Sequence, residues 1–344
     1  MINILMLGGK RCGKTTVLAS MFDEVNRALA GTNVSLMVDN ANVASLRQAR
    51  WGIQQKMQEF NTPLTRIQVD DNATDAMKTY FFDLVSGNSV VKFQIHDVPG
   101  EWLTDGHEAQ VQQLIKDCQV ILIAIDTPYL FAKMTGNGYG LYHEEYNKPQ
   151  EITNLFKNTL STLPVTDRMV LFVPIKCERY YHLTHCKELN INHRNYMNEI
   201  VEAISYGYND LLMYLRSSAE LESKTTMAIT PILSAGGIDF VKFCEDPETG
   251  RMVSLYQEPE FLDKSEKGYQ PKFCEQPLVY ALSFILMDAW VQSKNGQSNN
   301  FFKGGASNTQ LLQQMMDTMR RKMKKNTGSF ADDGYYFIQN PRFL

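Results

Sequence analysis

Apolar and polar positions alternate along the chain in two distinct patterns, and together these patterns predict an ordered series of strands and helices. Four nearly continuous apolar runs are typical of strands buried in a parallel sheet, namely 2–8, 119–126, 169–175 and 227–233. Residues 78–85 and 89–97 predict a hairpin at a sheet edge. Apolar residues at helical spacing predict helices that begin near Lys14 and Val43 and cover 107–117, 149–161, 193–217 and 277–292.

This order of elements predicts an α/β fold. One strand and helix, then two strands and a helix, then repeated strand–helix units make an open, mainly parallel sheet with helices on both faces and an antiparallel edge strand. We expect one domain over residues 1–292, interrupted by insertions. The insertions cover about 31–77, 127–148, 178–192 and 238–276, and the last contains a second predicted hairpin, 239–244 with 251–256.

The first strand leads directly into a glycine-rich loop and a helix. The loop has the spacing of a phosphate-binding loop, and it predicts a P-loop NTPase. Its glycines let backbone N–H groups surround a triphosphate, and the helix directs its positive dipole end at the same phosphates. Lys14 would reach the β- and γ-phosphates, and the Thr15 hydroxyl would ligate Mg²⁺. We assign nucleotide binding to Gly8, Gly9, Lys10, Arg11, Cys12, Gly13, Lys14, Thr15 and Thr16.

Composition and charge narrow the class of protein. The net charge of −4 argues against a surface that coats nucleic acid, and no apolar run is long enough to cross a bilayer. Met1 leads directly into the strand that feeds the loop, so we expect no signal peptide and a cytoplasmic protein. The six cysteines lack framework spacing and should be thiols. One metal-like cluster matches no zinc signature: Cys177, His182, His185, Cys186 and His193.

Four motifs in one order resemble those of TRAFAC-class, Ras-like GTPases. They are the phosphate loop, Asp97-x-x-Gly100, Ile175-Lys176-Cys177-Glu178 and Ser234-Ala235, and the resemblance spans roughly residues 1–292. More narrowly, three features resemble the double-GTPase-like proteins encoded in bacterial conflict or defence systems. They are the long insertions, the Val-Pro-Gly-Glu turn that ends at Glu101 and the Ser-Ala-Gly-Gly segment. The resemblance implies GTP or GDP and Mg²⁺ as cofactors.

The resemblance also implies roles for individual residues. Asp97 would assist the metal ion through water, and the Gly100 N–H would bond the γ-phosphate. A switch threonine in the family precedes that aspartate by about 22 residues, and Thr74 fits this position best, with Thr65 as the alternative. The implied catalytic residues are Glu101, Thr74 and Gly100, and the implied metal ligands are Thr15, Asp97 and Thr74.

Three departures from the family pattern concern catalysis and base recognition. Glu101 stands where a glutamine usually orients water. A carboxylate there could accept a water proton, but its charge also repels the γ-phosphate, so we expect slow hydrolysis. Lys10 and Arg11 replace loop glycines, and they could obstruct an incoming arginine finger or themselves touch the phosphates.

The base-reading motif keeps part of its pattern. Glu178 retains two acceptors for the guanine edge, Lys176 can lie along the base plane, and the Ala235 N–H would meet the guanine oxygen. Ile175 removes a bracing asparagine, an effect of about 1–3 kcal/mol. We therefore expect a preference for GTP over ATP, read by Lys176, Glu178, Ser234 and Ala235.

Residues 293–344 change in composition. A linker rich in Gly, Ser and Asn precedes a predicted amphipathic helix over about 308–325 with a methionine stripe and a basic end. This helix could dock on its own domain, bind a partner protein, or contact a membrane or nucleic acid.

The leading functional hypothesis is a GTP-binding molecular switch with slow, Mg²⁺-dependent hydrolysis. Its switch segments would signal to an effector protein, and nucleic acid is not an expected partner. A non-hydrolysing nucleotide-binding scaffold and an ATPase are the alternatives.

Overall fold

The structure is a computed structural model of the 344-residue chain. It describes residues 1–59, 66–68, 76–104, 106–131, 142–161, 164–185, 196–247, 250, 252–294, 307–324 and 335–340. The predicted switch residues Thr65 and Thr74 lie outside these ranges, as do Cys186 and His193.

The strands fall close to the predicted apolar runs. They are β1 Ile2–Gly8, β2 Ser35–Val38, β3 Arg66–Gln68, β4 Lys78–Ser86, β5 Ser89–Asp97, β6 Val120–Asp126, β7 Arg168–Ile175, β8 Thr225–Ile229, β9 Gly236–Gly237, β10 Asp239–Glu245, β11 Met252–Gln257, β12 Gly268–Tyr269 and β13 Tyr336–Gln339.

The helices separate these strands. They are α1 Lys14–Leu29, α2 Asn40–Gln58, α3 Glu108–Asp117, α4 Thr127–Phe131, α5 Pro149–Leu160, α6 Glu178–His185, α7 Tyr196–Gly207, α8 Asn209–Leu215, α9 Ala219–Lys224, α10 Gln276–Lys294 and α11 Ser307–Lys322. A 3₁₀ turn covers Gly100–Leu103, and a π-helical turn covers His143–Asn147.

The central sheet has the order β13-β8-β7-β6-β1-β5-β4-β2 within the described residues. The five strands from β8 to β5 are parallel to their neighbours, and β4 is antiparallel to β5. Apolar cores lie on both faces of the sheet, one against α1, α10 and α11 and the other against α3, α5 and α8. The predicted α/β fold, an open and mainly parallel sheet covered by helices on both faces, is confirmed.

The position of the hairpin in the sheet differs from the prediction. β4 and β5 form the hairpin, but β2 pairs antiparallel to the outer side of β4, so β2 is the edge. Leu36 on β2 is buried in the core beside α1, which accounts for the extra strand. The expectation of an edge hairpin was therefore wrong by one strand.

The predicted helix over 193–217 is divided in two. α7 ends at Gly207, where a Cβ atom would lie 2.6 Å from His143 Nε2, and α8 begins after the buried Tyr208. At this break the backbone of Gly207 packs directly on the imidazole ring of His143.

The carboxyl-terminal segments pack on the rest of the protein. Met315 and Met319 of α11 are fully buried in the core that contains α10. The Gln276 side chain joins the two helices, because its amide donates to Lys322 O at 3.0 Å and accepts from Lys324 N at 2.7 Å. β13 extends the central sheet beside β8. The methionine face is thus used internally, and it is not free for the partner protein or membrane that the sequence left open.

The insertions form a second, smaller sheet. β10 and β11 form the predicted hairpin, and β3, from the insertion before β4, pairs with β11 as a third strand.

None of the helices within the described ranges combines the length and the apolar character that a membrane-spanning helix needs.

Candidate functional site

The phosphate loop connects β1 to α1 at the carboxyl edge of the sheet. Gly13 adopts a left-handed φ of +104°, which turns the chain into the first residue of α1. The Lys14 ammonium donates to the carbonyls of Gly8 and Gly9, each at 3.0 Å. Lys14 is only 6% exposed, so its charge is held inside the loop. In a phosphate site the backbone N–H groups of such a loop surround the phosphate.

Two glycines let other segments pack against this loop. A Cβ atom on Gly9 would lie 1.8 Å from the carbonyl oxygen of Tyr146, which belongs to the π-helical turn. A Cβ atom on Gly100 would lie 2.2 Å from the Lys10 nitrogen. The loop is therefore held between the insertion that precedes α5 and the turn that follows β5.

The remaining loop residues differ in their environments. Arg11 has a left-handed φ of +58°, a conformation that costs a residue with a side chain about 1–2 kcal/mol. Cys12 is buried, and burial raises the pKa of its thiol. Thr16 is partly buried in the first turn of α1, where its carbonyl accepts from Ser20.

Two of the three expected metal ligands, Thr15 and Asp97, come together at the end of β5, whereas Thr74 lies outside the described residues. Asp97 lies beside Met6 in the parallel pairing of β1 with β5, and its Oδ2 accepts from the Thr15 hydroxyl at 2.6 Å. The carboxylate is fully buried, and its Oδ1 has no hydrogen-bond partner among the described residues. Burial raises the pKa of Asp97, and Lys14 opposes this effect. A hydroxyl and a buried carboxylate oxygen suit a divalent cation such as Mg²⁺.

The predicted base-reading residues also come together. The Lys176 ammonium lies 2.7 Å from Asp126 Oδ2; the Asp126 side chain is buried and the Lys176 side chain is 11% exposed. Its backbone N–H donates to the Ser234 hydroxyl at 3.2 Å. The Lys176 side chain passes near the phosphate loop, since a Cβ atom on Gly13 would lie 3.9 Å from Lys176 Cε. The 175–178 and 234–235 segments are therefore adjacent.

Glu178 makes a contact that the sequence did not predict. Its Oε1 accepts from the backbone N–H of Ala235 at 2.7 Å and from that of Gly236 at 3.3 Å. Its Oε2 is buried without a hydrogen-bond partner among the described residues. The Ala235 N–H, which was expected to meet a guanine oxygen, is thus occupied by a carboxylate of the protein itself. Burial raises the pKa of Glu178, and these two hydrogen bonds oppose it.

A small apolar cluster fixes the loop that contains Ala235. Ala235 packs with Ile238 and Tyr256 of the hairpin region and with Met57 near the end of α2. The base-reading segment is therefore in contact with the element that precedes the predicted switch residues in the sequence.

Three polar residues at the site were missed by the sequence reasoning. Asp126 holds Lys176, and Asn147 accepts from Asp126 N at 2.8 Å and donates to Asp126 O at 3.1 Å. Asn147 also pairs with His143 Nδ1 at 3.0 Å. Asp126 could have been found, because like Asp97 it ends a buried strand. Nothing in the sequence around His143 and Asn147 indicated their role.

Glu101 lies against the phosphate loop. Its Oε1 forms an ion pair with the Lys10 ammonium, and its Oε2 is buried without a hydrogen-bond partner among the described residues. Partial burial raises the pKa of Glu101, but the hydrogen bond from Lys10 and the charges of Lys10 and Lys14 lower it further, so the net pKa lies below the usual range.

The metal-like cluster noted in the sequence is divided. His182 Nδ1 pairs with Asp239 Oδ1 at 2.6 Å, and the Cys177 thiol is buried beside the Thr127 hydroxyl at 3.3 Å. Burial raises the pKa of the Cys177 thiol.

Comparison with protein families adds an independent observation. Residues 2–160 match the model of the Double-GTPase 2 family. The match contains the phosphate loop, Asp97, Gly100 and Glu101, and it confirms the resemblance to P-loop GTPases of the double-GTPase kind. The matched residues make up a little under half of the chain. The base-reading segments around Glu178 and Ala235 lie outside the matched residues.

Comparisons with individual proteins add little. A search of curated proteins found no match. Among solved structures, the chain is similar to "LeoA bacterial dynamin GTPase from ETEC", with 13% sequence identity and a TM-score of 0.26. That match covers 65% of this chain and 37% of the other, and at this TM-score no functional argument rests on it.

Proposed function

We propose that the protein is a molecular switch that binds GTP with Mg²⁺ and hydrolyses it slowly. The observation that carries this proposal is the arrangement of Lys14, Thr15 and Asp97. The Lys14 ammonium is held in the glycine-rich loop. The Thr15 hydroxyl, at the start of α1, donates to the buried Asp97 carboxylate. This is the set of groups that a Mg²⁺–triphosphate requires.

Thr15 and Asp97 are the residues proposed to hold the metal ion, with Thr74 as a further ligand taken from the sequence. Asp97 Oδ1 has no hydrogen-bond partner among the described residues, and this supports the assignment, because a buried carboxylate oxygen without a partner is costly unless a cation or water meets it. A bound Mg²⁺ would offset the negative charge of the β- and γ-phosphates.

Guanine is the proposed base. Glu178 Oε2 is a buried acceptor without a hydrogen-bond partner among the described residues, and guanine offers two neighbouring donors, its ring N–H and its amino group. The hydrogen bond from the Lys176 backbone N–H to the Ser234 hydroxyl joins the 175–178 segment to the 234–235 segment.

Adenine is a second candidate because of one specific contact. Glu178 already occupies the Ala235 N–H, the donor expected for the guanine oxygen, and guanine must displace this bond to use that N–H. Adenine instead offers an amino group, a donor that a carboxylate can accept.

The switch role rests on Gly100 and Glu101. Gly100 and Glu101 follow Asp97 by three and four residues. The Gly100 backbone packs on the phosphate loop at Lys10, and Glu101 pairs with the Lys10 ammonium, so the gain or loss of a γ-phosphate would act on this turn. We propose that this turn and the Thr74 segment present their surface to an effector protein in the cytoplasm. The resemblance to double-GTPase-like proteins favours a role in bacterial conflict or defence.

The phosphate site is tested by Lys14→Ala and Thr15→Ala. We expect each variant to weaken Mg²⁺-dependent GTP binding by at least about tenfold, since each removes hydrogen bonds to a charged ligand. Calorimetric titration measures the affinity, and circular dichroism checks that the fold is kept. Lys92→Ala, an exposed lysine on β5, is the matched control and should bind as the parent does. Unchanged affinity in both loop variants would refute the site.

A further inference from the structure

The Lys10–Glu101 ion pair joins the phosphate loop to the turn that follows Asp97. The Lys10 side chain is 48% exposed and the Glu101 side chain 24% exposed, so the pair lies at the mouth of the site rather than in the core. Exposed ion pairs contribute little to folding stability. A role for this pair must therefore come from its position.

The backbone brings the two side chains together. A Cβ atom on Gly100 would overlap the Lys10 backbone nitrogen, so the residue before Glu101 lies directly on Lys10. The ion pair thus spans two adjacent backbones. A group bound in the phosphate loop and facing the Gly100 turn would therefore lie beside the two backbone segments that carry this pair.

Glu101 has one oxygen left for other partners. Lys10 binds Oε1, while Oε2 is buried and has no hydrogen-bond partner among the described residues. A carboxylate held this way can accept a hydrogen bond from a water molecule. Without Lys10, its negative charge would oppose a γ-phosphate nearby, whereas the ammonium offsets that repulsion.

We propose that Lys10 is a catalytic residue that supplies, from within the chain, a positive charge to the γ-phosphate during hydrolysis and holds Glu101 in place beside it. This inference rests on the proposed GTPase function. The oxygen of a water molecule forms a bond to the γ-phosphorus, and the bond from that phosphorus to the β,γ-bridging oxygen breaks with its electron pair left on GDP. One water proton passes to Glu101 Oε2 and then to the released phosphate.

Loss of Lys10 and loss of Lys14 should have different effects on nucleotide affinity and on the rate of hydrolysis. Lys14 is buried and holds the loop, so its loss should affect binding. Lys10 is half exposed and pairs with the group proposed to accept a proton, so its loss should affect the rate of hydrolysis more than the affinity. A role in loop structure alone would not produce this difference.

The experiment compares Lys10→Met, Lys10→Arg, Glu101→Gln and the Lys10→Met/Glu101→Gln double variant of the full chain. Single-turnover release of phosphate from GTP gives the rate, and titration gives the affinity separately. We expect Lys10→Met to lower the rate by about 10–100-fold, less than the about 10³–10⁵-fold contributed by an arginine finger, with affinity changed by less than about fivefold. Lys10→Arg should restore most of the rate. Lys92→Met is the matched control for loss of a surface lysine.

The double variant tests whether the two residues act as a pair. If they do, its rate should fall little below that of the slower single variant, because losses within one unit do not add. A rate in Lys10→Met equal to or above that of the parent would overturn the proposal. It would mean that the ion pair only restrains the Glu101 side chain. GTP binding without measurable hydrolysis in the parent would overturn it while leaving the nucleotide site intact. Failure of the parent to bind GTP would overturn the proposed function as well.

Discussion

We expect His143 to make the stability of the protein depend on pH. It lies in the π-helical turn that also contains Tyr146, whose carbonyl packs against Gly9 of the phosphate loop, and it is almost fully buried. Burial lowers the pKa of His143 from 6.5 to about 4. Asn147 donates to His143 Nδ1, and a protonated imidazole cannot accept this bond. The fold therefore requires the neutral ring.

The size of the effect follows from the two pKa values. A folded-state pKa below the unfolded value gives stability that is present above pH 6.5 and lost as the pH falls toward about 4. At about 1.4 kcal/mol per pH unit, this interval corresponds to about 3 kcal/mol. Since domains are stable by about 5–15 kcal/mol in total, the loss should be readily measurable.

Urea unfolding between pH 7.5 and pH 4.5 measures this loss, with His143→Gln as the comparison. Glutamine can accept from Asn147 and does not titrate. Partial burial and the neighbouring acids Glu151 and Asp210 raise the pKa of Glu144, which changes stability in the opposite sense, but Glu144 is present in both proteins and cancels in the difference. We expect the parent to lose more stability than the variant as the pH falls. Equal losses in the two proteins would show that His143 is not the group responsible.

The remaining predictions concern the two ends of the nucleotide site. Gly9→Ala should abolish nucleotide binding while most of the fold is kept, because the added Cβ atom would overlap the Tyr146 carbonyl. Titration with GTP measures the binding and thermal unfolding checks the fold. An affinity like that of the parent would contradict this prediction. Glu178→Ala should weaken GTP binding by about tenfold or more and affect ATP little, if Glu178 reads guanine; equal losses for the two nucleotides would remove the argument for guanine.

The parts of the fold that the sequence predicted are those set by local pattern. Buried parallel strands are apolar throughout, so β1, β6 and β7 could be placed to within a residue or two. The phosphate loop could be recognised because its glycines and its lysine have fixed spacing. Its position at the carboxyl edge of the sheet then placed Asp97 beside Thr15.

Long-range choices of partner were not predictable. The addition of β13 to the sheet depends on a packing surface more than 100 residues away along the chain, and four residues carry too little pattern to reveal it. In the same way, Lys176 could not be assigned to Asp126, nor Glu178 to Ala235, because buried charges take whichever partner the tertiary structure offers. The break at Gly207 likewise came from packing on His143, which no helical periodicity shows.

The deciding measurement is the release of phosphate from GTP by the purified full chain, with and without Mg²⁺. We expect slow release that requires Mg²⁺ and is absent from Lys14→Ala. Release at the same rate without Mg²⁺, or from Lys14→Ala, would contradict the assignment of the phosphate loop as the catalytic site.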